Sequence, residues 1–140
     1  MRLRSVLAAA AMSAAVLPPL LAAPAHAAAG DFTVTGSFAN LSGNLKWVNG
    51  YRFELPRMTL RDTVCDDKSV YWYLTVDMGW TSEWSNKARW AEEGCGTENS
   101  WTGIHLERTI PIHSLRFWIC RDDWGADTCE KADYLNPHAD

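Results

Sequence analysis

The residues of this chain that could do chemistry are its four cysteines, a few closely spaced carboxylates, its histidines and its eight tryptophans. Glu83 with Glu92 or Glu93 places two carboxylates on one short segment. A glycosidase or muramidase needs such a pair, one as proton donor and one as base or nucleophile. Acids in a charged segment are more often simply solvated, and nothing nearby completes a catalytic set. The chain has no G-x-S-x-G elbow, no H-E-x-x-H and no phosphate-cradling glycine loop. His105 and His113 are the mid-chain imidazoles. The His113-Ser114 adjacency carries nothing, because neighbours along a strand point to opposite faces. His138 belongs to the tail Asn136-Pro137-His138-Ala139-Asp140, which is expected to fray. The expectation is a protein without catalysis and without a cofactor.

The stretch Cys120-Arg121-Asp122-Asp123-Trp124-Gly125-Ala126-Asp127-Thr128-Cys129 admits a metal loop, a redox motif or a stapled turn. A redox role wants C-x-x-C, which is absent. Zinc wants other spacings than these two cysteines with His105 and His113 upstream. A turn over Asp123 to Ala126, or over Trp124-Gly125, sets Asp122 against Asp127, Arg121 against Thr128 and Cys120 against Cys129. Facing residues of an antiparallel pair have Cα atoms about 4.5–5.5 Å apart, within disulfide reach. The expected bridges are Cys120–Cys129 and, by elimination, Cys65–Cys95. In the chain-entropy picture they contribute about 3 and about 4 kcal/mol. The same register sets two like charges face to face, so calcium held by Asp122, Asp127 and a turn carbonyl is a candidate metal. Arg121, Arg116, Lys131 or plain solvation would relieve the pair as well, and no D-x-[DN]-x-[DN]-G loop is present.

Trp47, Trp72, Trp80, Trp84, Trp90, Trp101, Trp118 and Trp124 are many for so short a chain. Exposed rings serve as platforms for sugars and as hot spots in protein interfaces, whereas buried ones give a small core extra area. Trp72 reads as core. Trp80, Trp84, Trp90 and Trp124 lie in polar, loop-like surroundings and are the candidate ligand-binding aromatics. Tyr71 and Tyr73 flank Trp72 on the opposite strand face. They either line a binding surface or pack beneath the segment 79–96, and the second is expected.

The first residues say where such a protein works. Met1-Arg2-Leu3-Arg4 is basic, Ser5 to Ala23 is an apolar run broken by Pro18-Pro19, and Ala25-His26-Ala27 is an A-x-A cleavage site. Together they read as a secretory signal peptide over residues 1–27. A retained membrane anchor fits the prolines and the alanine-rich tail less well, and Arg2 and Arg4 are not a twin-arginine pair. Removal of residues 1–27 leaves about 113 residues, 28–140, enough for one domain with one core. Its 17 acidic residues then face 11 basic ones. The balance argues against nucleic acid as a partner and for solubility. An oxidising destination suits all four cysteines. The expected localisation is extracellular, with no membrane span after cleavage, and the expected state is a monomer.

Strands must position these groups. Phe32, Val34, Gly36 and Phe38 alternate with Thr33, Thr35 and Ser37. Asn49-Gly50 between Leu45–Val48 and Tyr51–Leu55 signals a hairpin, and Pro56 is expected to close that strand or mark it as an edge. Met58, Leu60, Asp62 and Val64 lead to Cys65. Val70, Trp72, Leu74, Val76 and Met78 form one face of the expected central strand; Trp101 to Arg108 and Leu115 to Cys120 follow. Residues 82–93 admit a helix capped by Ser82 and ended by Gly94, or a loop with a short strand; the second is expected. The fold expected is all-β, a sandwich or small barrel of about 6–8 short antiparallel strands with two disulfides.

The alanine-rich leader, Asp62-Thr63-Val64-Cys65-Asp66-Asp67, Gly94-Cys95-Gly96-Thr97 followed by Ser100-Trp101, and Ile119-Cys120-Arg121-Asp122 resemble uncharacterised small secreted proteins of actinobacteria such as Streptomyces. The likeness spans most of residues 60–130. It implies export and a paired-cysteine β-fold, and brings no activity or site; likeness to secreted subtilisin inhibitors stops at size and cysteine number. The function expected is extracellular recognition through the protein surface. A carbohydrate or cell-wall binding module is the first alternative, and a small secreted hydrolase or inhibitor the second.

Overall fold

The computed structural model describes residues 29–79, 83–85, 87–92 and 94–139. The proposed signal peptide, Trp80, Ser82 and Glu93 lie outside them. Among the described residues there is no helix.

Alternation of apolar and polar residues produces two antiparallel sheets. The first has the order β1 (Ala29–Thr35), β2 (Ala39–Asn49), β3 (Arg52–Asp62), β7 (Glu98–Glu107). The second has the order β5 (Glu83–Ser85), β4 (Val70–Asp77), β8 (Ser114–Arg121), β9 (Thr128–Leu135), with β6 (Arg89–Trp90) also pairing with β4. The described residues of the segment 79–96 are therefore loop and short strand: β5 lies against Thr75–Asp77 and β6 against Tyr71–Trp72, sharing one edge of β4. With β5 and β6 taken as two pieces of one edge, the two sheets hold eight antiparallel strands, as expected.

The sheets pack face to face, with alternate residues of each strand turned inward. Val70, Trp72, Leu74 and Val76 of β4 meet Leu41, Phe53, Leu55, Met58 and Leu60 of the first sheet in one core. Phe32 and Phe117 stack across it with centroids 4.4 Å apart. Both expected disulfides are present, Cys65–Cys95 and Cys120–Cys129, with Cα atoms 4.9 and 4.2 Å apart. Cys120 and Cys129 are direct ladder partners, as the stapled-turn register requires.

Three local expectations are corrected. Pro56 lies in β3, an interior strand, where its missing N–H is tolerated because the ladder to β2 is irregular there, its register skipping from Gly43 to Lys46. The hairpin turn is Gly50-Tyr51 rather than Asn49-Gly50, since Asn49 already pairs with Arg52. Gly50 has no positive φ; a Cβ there would stand 2.8 Å from the carbonyl oxygen of His138.

That close approach exists because the C-terminal tail does not fray up to Ala139. Buried Asn136 donates its side-chain amide to Ile112 O at 2.8 Å and Asn49 O at 3.2 Å, and its backbone N–H to His113 O. One side chain thus ties three chain segments together. Asn136→Ala is expected to lower stability by about 1–3 kcal/mol, because it leaves two carbonyls short of a donor. Urea denaturation checks the value, and an unchanged midpoint would remove the clamp.

Candidate functional site

The two outer faces are dressed differently. On the first sheet, Lys46, Arg52, Glu54 and Glu107 form an ion-paired cluster with N–O distances of 2.7–3.4 Å, and Thr59 and Ser100 share a hydrogen bond. That face is polar and ion-paired around Arg52 and Glu54, although Arg52 Nε is buried there without a hydrogen-bond partner among the described residues.

On the second sheet, the register turns Tyr71, Tyr73, Thr75 and Asp77 outward from β4, and Ser114, Arg116 and Trp118 from β8. Facing residues form cross-strand rows. In one row, Trp90 of β6 is opposite Tyr71, which is opposite Cys120 and then Cys129. The Trp90 and Tyr71 rings lie 4.3 Å apart. In the next, Tyr73 faces Trp118, which faces Lys131; the two rings are parallel to within 6° at 5.8 Å, and the Lys131 ammonium sits 5.1 Å from the indole. Tyr71 and Tyr73 link the rows at 6.3 Å. A third row holds Thr75, Arg116 and Asp133, with Arg116 paired to Asp133 at 2.6 Å. Thr75 Oγ1 accepts the Trp118 indole N–H at 3.2 Å. Four rings and two cations thus form one ordered strip, each aromatic pair worth about 0.5–1.5 kcal/mol beyond its area.

The candidate aromatics fare unequally. Trp90 is 41 % exposed and opens the strip. Trp124 is 97 % exposed on the loop between β8 and β9, beside a cavity of about 230 Å³ lined by Asp67, Lys68, Ser69, Asp122 and Asp123. Trp84 faces Val76 in the ladder, and Trp80 is outside the described residues. Tyr71 does lie under part of the 79–96 segment, through Trp90, yet both tyrosines remain half-buried members of the strip. Trp118, the last ring of the strip, escaped the sequence reading. Its alternation with Leu115, Phe117 and Ile119 placed it outward, but only β4–β8 pairing shows that it meets Tyr73.

The charges around Cys120–Cys129 are shared differently from the expectation. Asp127 accepts the Tyr71 hydroxyl at 2.5 Å. Arg121 pairs with Asp123 and Asp66, Arg116 with Asp133, and Lys131 lies over Trp118. No group of three or more potential metal-ligating side chains occurs among the described residues. Glu92 is exposed and its N–H donates to Asn99 Oδ1 at 3.3 Å; Glu93 and the Glu83 side chain lie outside the description.

Lys68, Thr128 and Arg121 hold the Asp123 carboxyl far below the usual carboxylate range. Arg116 lowers Asp133, Arg52 and Lys46 lower Glu54, and the Ser37 N–H and hydroxyl lower Glu130. A carboxylate depressed in the fold stabilises it above its unfolded value of about 4 and loses that contribution as pH falls further. The thermal midpoint is expected to hold from neutral pH to about 4 and then drop. Burial, followed by Asp127, raises the Tyr71 phenol. Its contribution is present below about pH 10 and fades as the pH rises above it. A melting series across pH checks both arms.

Comparison with protein-family models, curated proteins and solved structures returns no match. Among the described residues, no helix is long and apolar enough to cross a membrane.

Proposed function

We propose that this chain is a small exported, non-catalytic β-sandwich domain that recognises an extracellular partner through the outer face of the β5/β6-β4-β8-β9 sheet. The observation that carries it is the strip Trp90, Tyr71, Tyr73 and Trp118 on that face, set against the ion-paired face of the other sheet. Its side chains are already held in place, so binding costs little further ordering. Two disulfides suit an oxidising compartment, in keeping with the signal-like leader.

Co-sedimentation with crude Gram-positive cell-wall fragments, which carry both glycan and protein, tests the reading. The wild type is expected to pellet, and Trp90→Ala and Trp118→Ala to bind about thirtyfold more weakly, the loss of one contacting ring worth about 2 kcal/mol. Circular dichroism should match the wild type. Variants that pellet like the wild type, or a wild type that stays in solution, would overturn it.

A second reading, an inhibitor or protein-docking module, rests on Trp124. The residue is 97 % exposed on a disulfide-closed loop, an aromatic knob of the residue type that anchors protein interfaces.

A further inference from the structure

Resting on that reading of the face, we propose that its ligand is a linear polysaccharide lying along the strip from Trp90 through Tyr71 and Tyr73 to Trp118. The first argument is what the face lacks. Outward positions of β4 and β8 hold rings, hydroxyls, a carboxylate and a guanidinium, and no aliphatic side chain; on β9 the aliphatic Leu135 sits at the far corner, opposite Ser114. The desolvated core of a protein interface is depleted of charge. A sugar chain instead offers, residue after residue, a patch of C–H bonds ringed by hydroxyls. The C–H patches carry slight positive charge and meet the negative faces of aromatic rings. The hydroxyls find Thr75, Ser114, Asp77 and the cations beside them.

The second argument is the disposition of Trp90. Tyr71 lies against its ring at 4.3 Å, and 41 % of the residue is still exposed, area that a pyranose ring would cover. Successive rings follow at 6.3 and 5.8 Å, an elongated track rather than a single socket. Tyr71 is anchored through its hydroxyl to Asp127, and Trp118 through its indole N–H to Thr75, so the track keeps its shape before any ligand arrives. The ends differ in charge. Asp127 flanks the Tyr71 end, and Lys131 and Arg116 flank the Trp118 end, which gives a bound chain a preferred direction.

Sedimentation of the exported protein with protein-free cellulose, chitin and purified peptidoglycan tests this. Retention on at least one of them is expected, weakened about tenfold or more by Trp90→Ala and by Trp118→Ala. Trp90→Tyr, which keeps a ring, should retain most of the binding, and Trp124→Ala should match the wild type. Trp90 lies on a two-residue edge strand, so its truncation leaves the core intact. Pelleting with crude walls but with none of the three polysaccharides would overturn the ligand class and leave the recognition face standing. Retention that is lost in Trp124→Ala yet kept in Trp90→Ala and Trp118→Ala would overturn both.

Discussion

Dithiothreitol is expected to unfold this domain at 37 °C. The bridge Cys65–Cys95 closes a sequence separation of 30 and Cys120–Cys129 one of 9. Loop-closure entropy assigns them about 4 and about 3 kcal/mol. Small domains hold only about 5–15 kcal/mol in total, so losing both removes half or more of the margin. The two losses also act on different parts. Cys65–Cys95 ties the end of β3 to the segment leading into β7, while Cys120–Cys129 fastens the β8–β9 hairpin in the same cross-strand row as Trp90 and Tyr71. A Cys120→Ser/Cys129→Ser variant should therefore lower the thermal midpoint and loosen the strip. Melting curves with and without reductant read the first effect directly; curves that superimpose would show that the sulfur links carry no stability.

Trp72→Ala is expected to cost about 3–5 kcal/mol. Trp72 is fully buried on the inward face of β4, edge-on to Trp101 at 5.8 Å, with the Arg89 guanidinium 5.0 Å from its ring. Burial lowers the pKa of that arginine, as befits a cation drawn against the core. The indole N–H of Trp72 has no hydrogen-bond partner among the described residues. Trp72→Phe should thus cost clearly less than Trp72→Ala, since it removes an unsatisfied donor while keeping a ring. Because Tyr71 and Tyr73 flank Trp72 along the same strand, a cavity beneath β4 should also displace the outer strip. Urea denaturation of the two variants checks the order, and equal losses would contradict it.

Much of this fold is legible in single strands. The alternation of Val70, Trp72, Leu74 and Val76 with Tyr71, Tyr73 and Thr75 assigns both faces of β4 without reference to a partner. The disulfides are legible because one hairpin places Cys120 opposite Cys129 and leaves a single remaining pair. What depends on distant pairing is not legible. Tyr73 meets Trp118 across 45 positions of sequence, and no local pattern announces which strand will lie beside β4. Pro56 misleads because a register shift between β2 and β3, invisible in either strand alone, absorbs the missing donor. Asn136 misleads because a polar residue near a chain end reads as solvated, whereas its amide bridges Ile112 and Asn49. Among the tryptophans, surrounding polarity identified Trp90 and Trp124 as exposed and overlooked Trp118, whose outward ring is half covered by neighbours that arrive from other strands.

Hydroxyl-radical footprinting of the oxidised, processed protein, with and without cell-wall fragments, locates the contact surface without any substitution. Protection concentrated on Trp90, Tyr71, Tyr73 and Trp118, with Tyr51 and Trp124 reacting as in the free protein, is the expected pattern. Unchanged reactivity along those four rings, with protection at Trp124 or on the ion-paired face around Arg52, would show that recognition happens elsewhere.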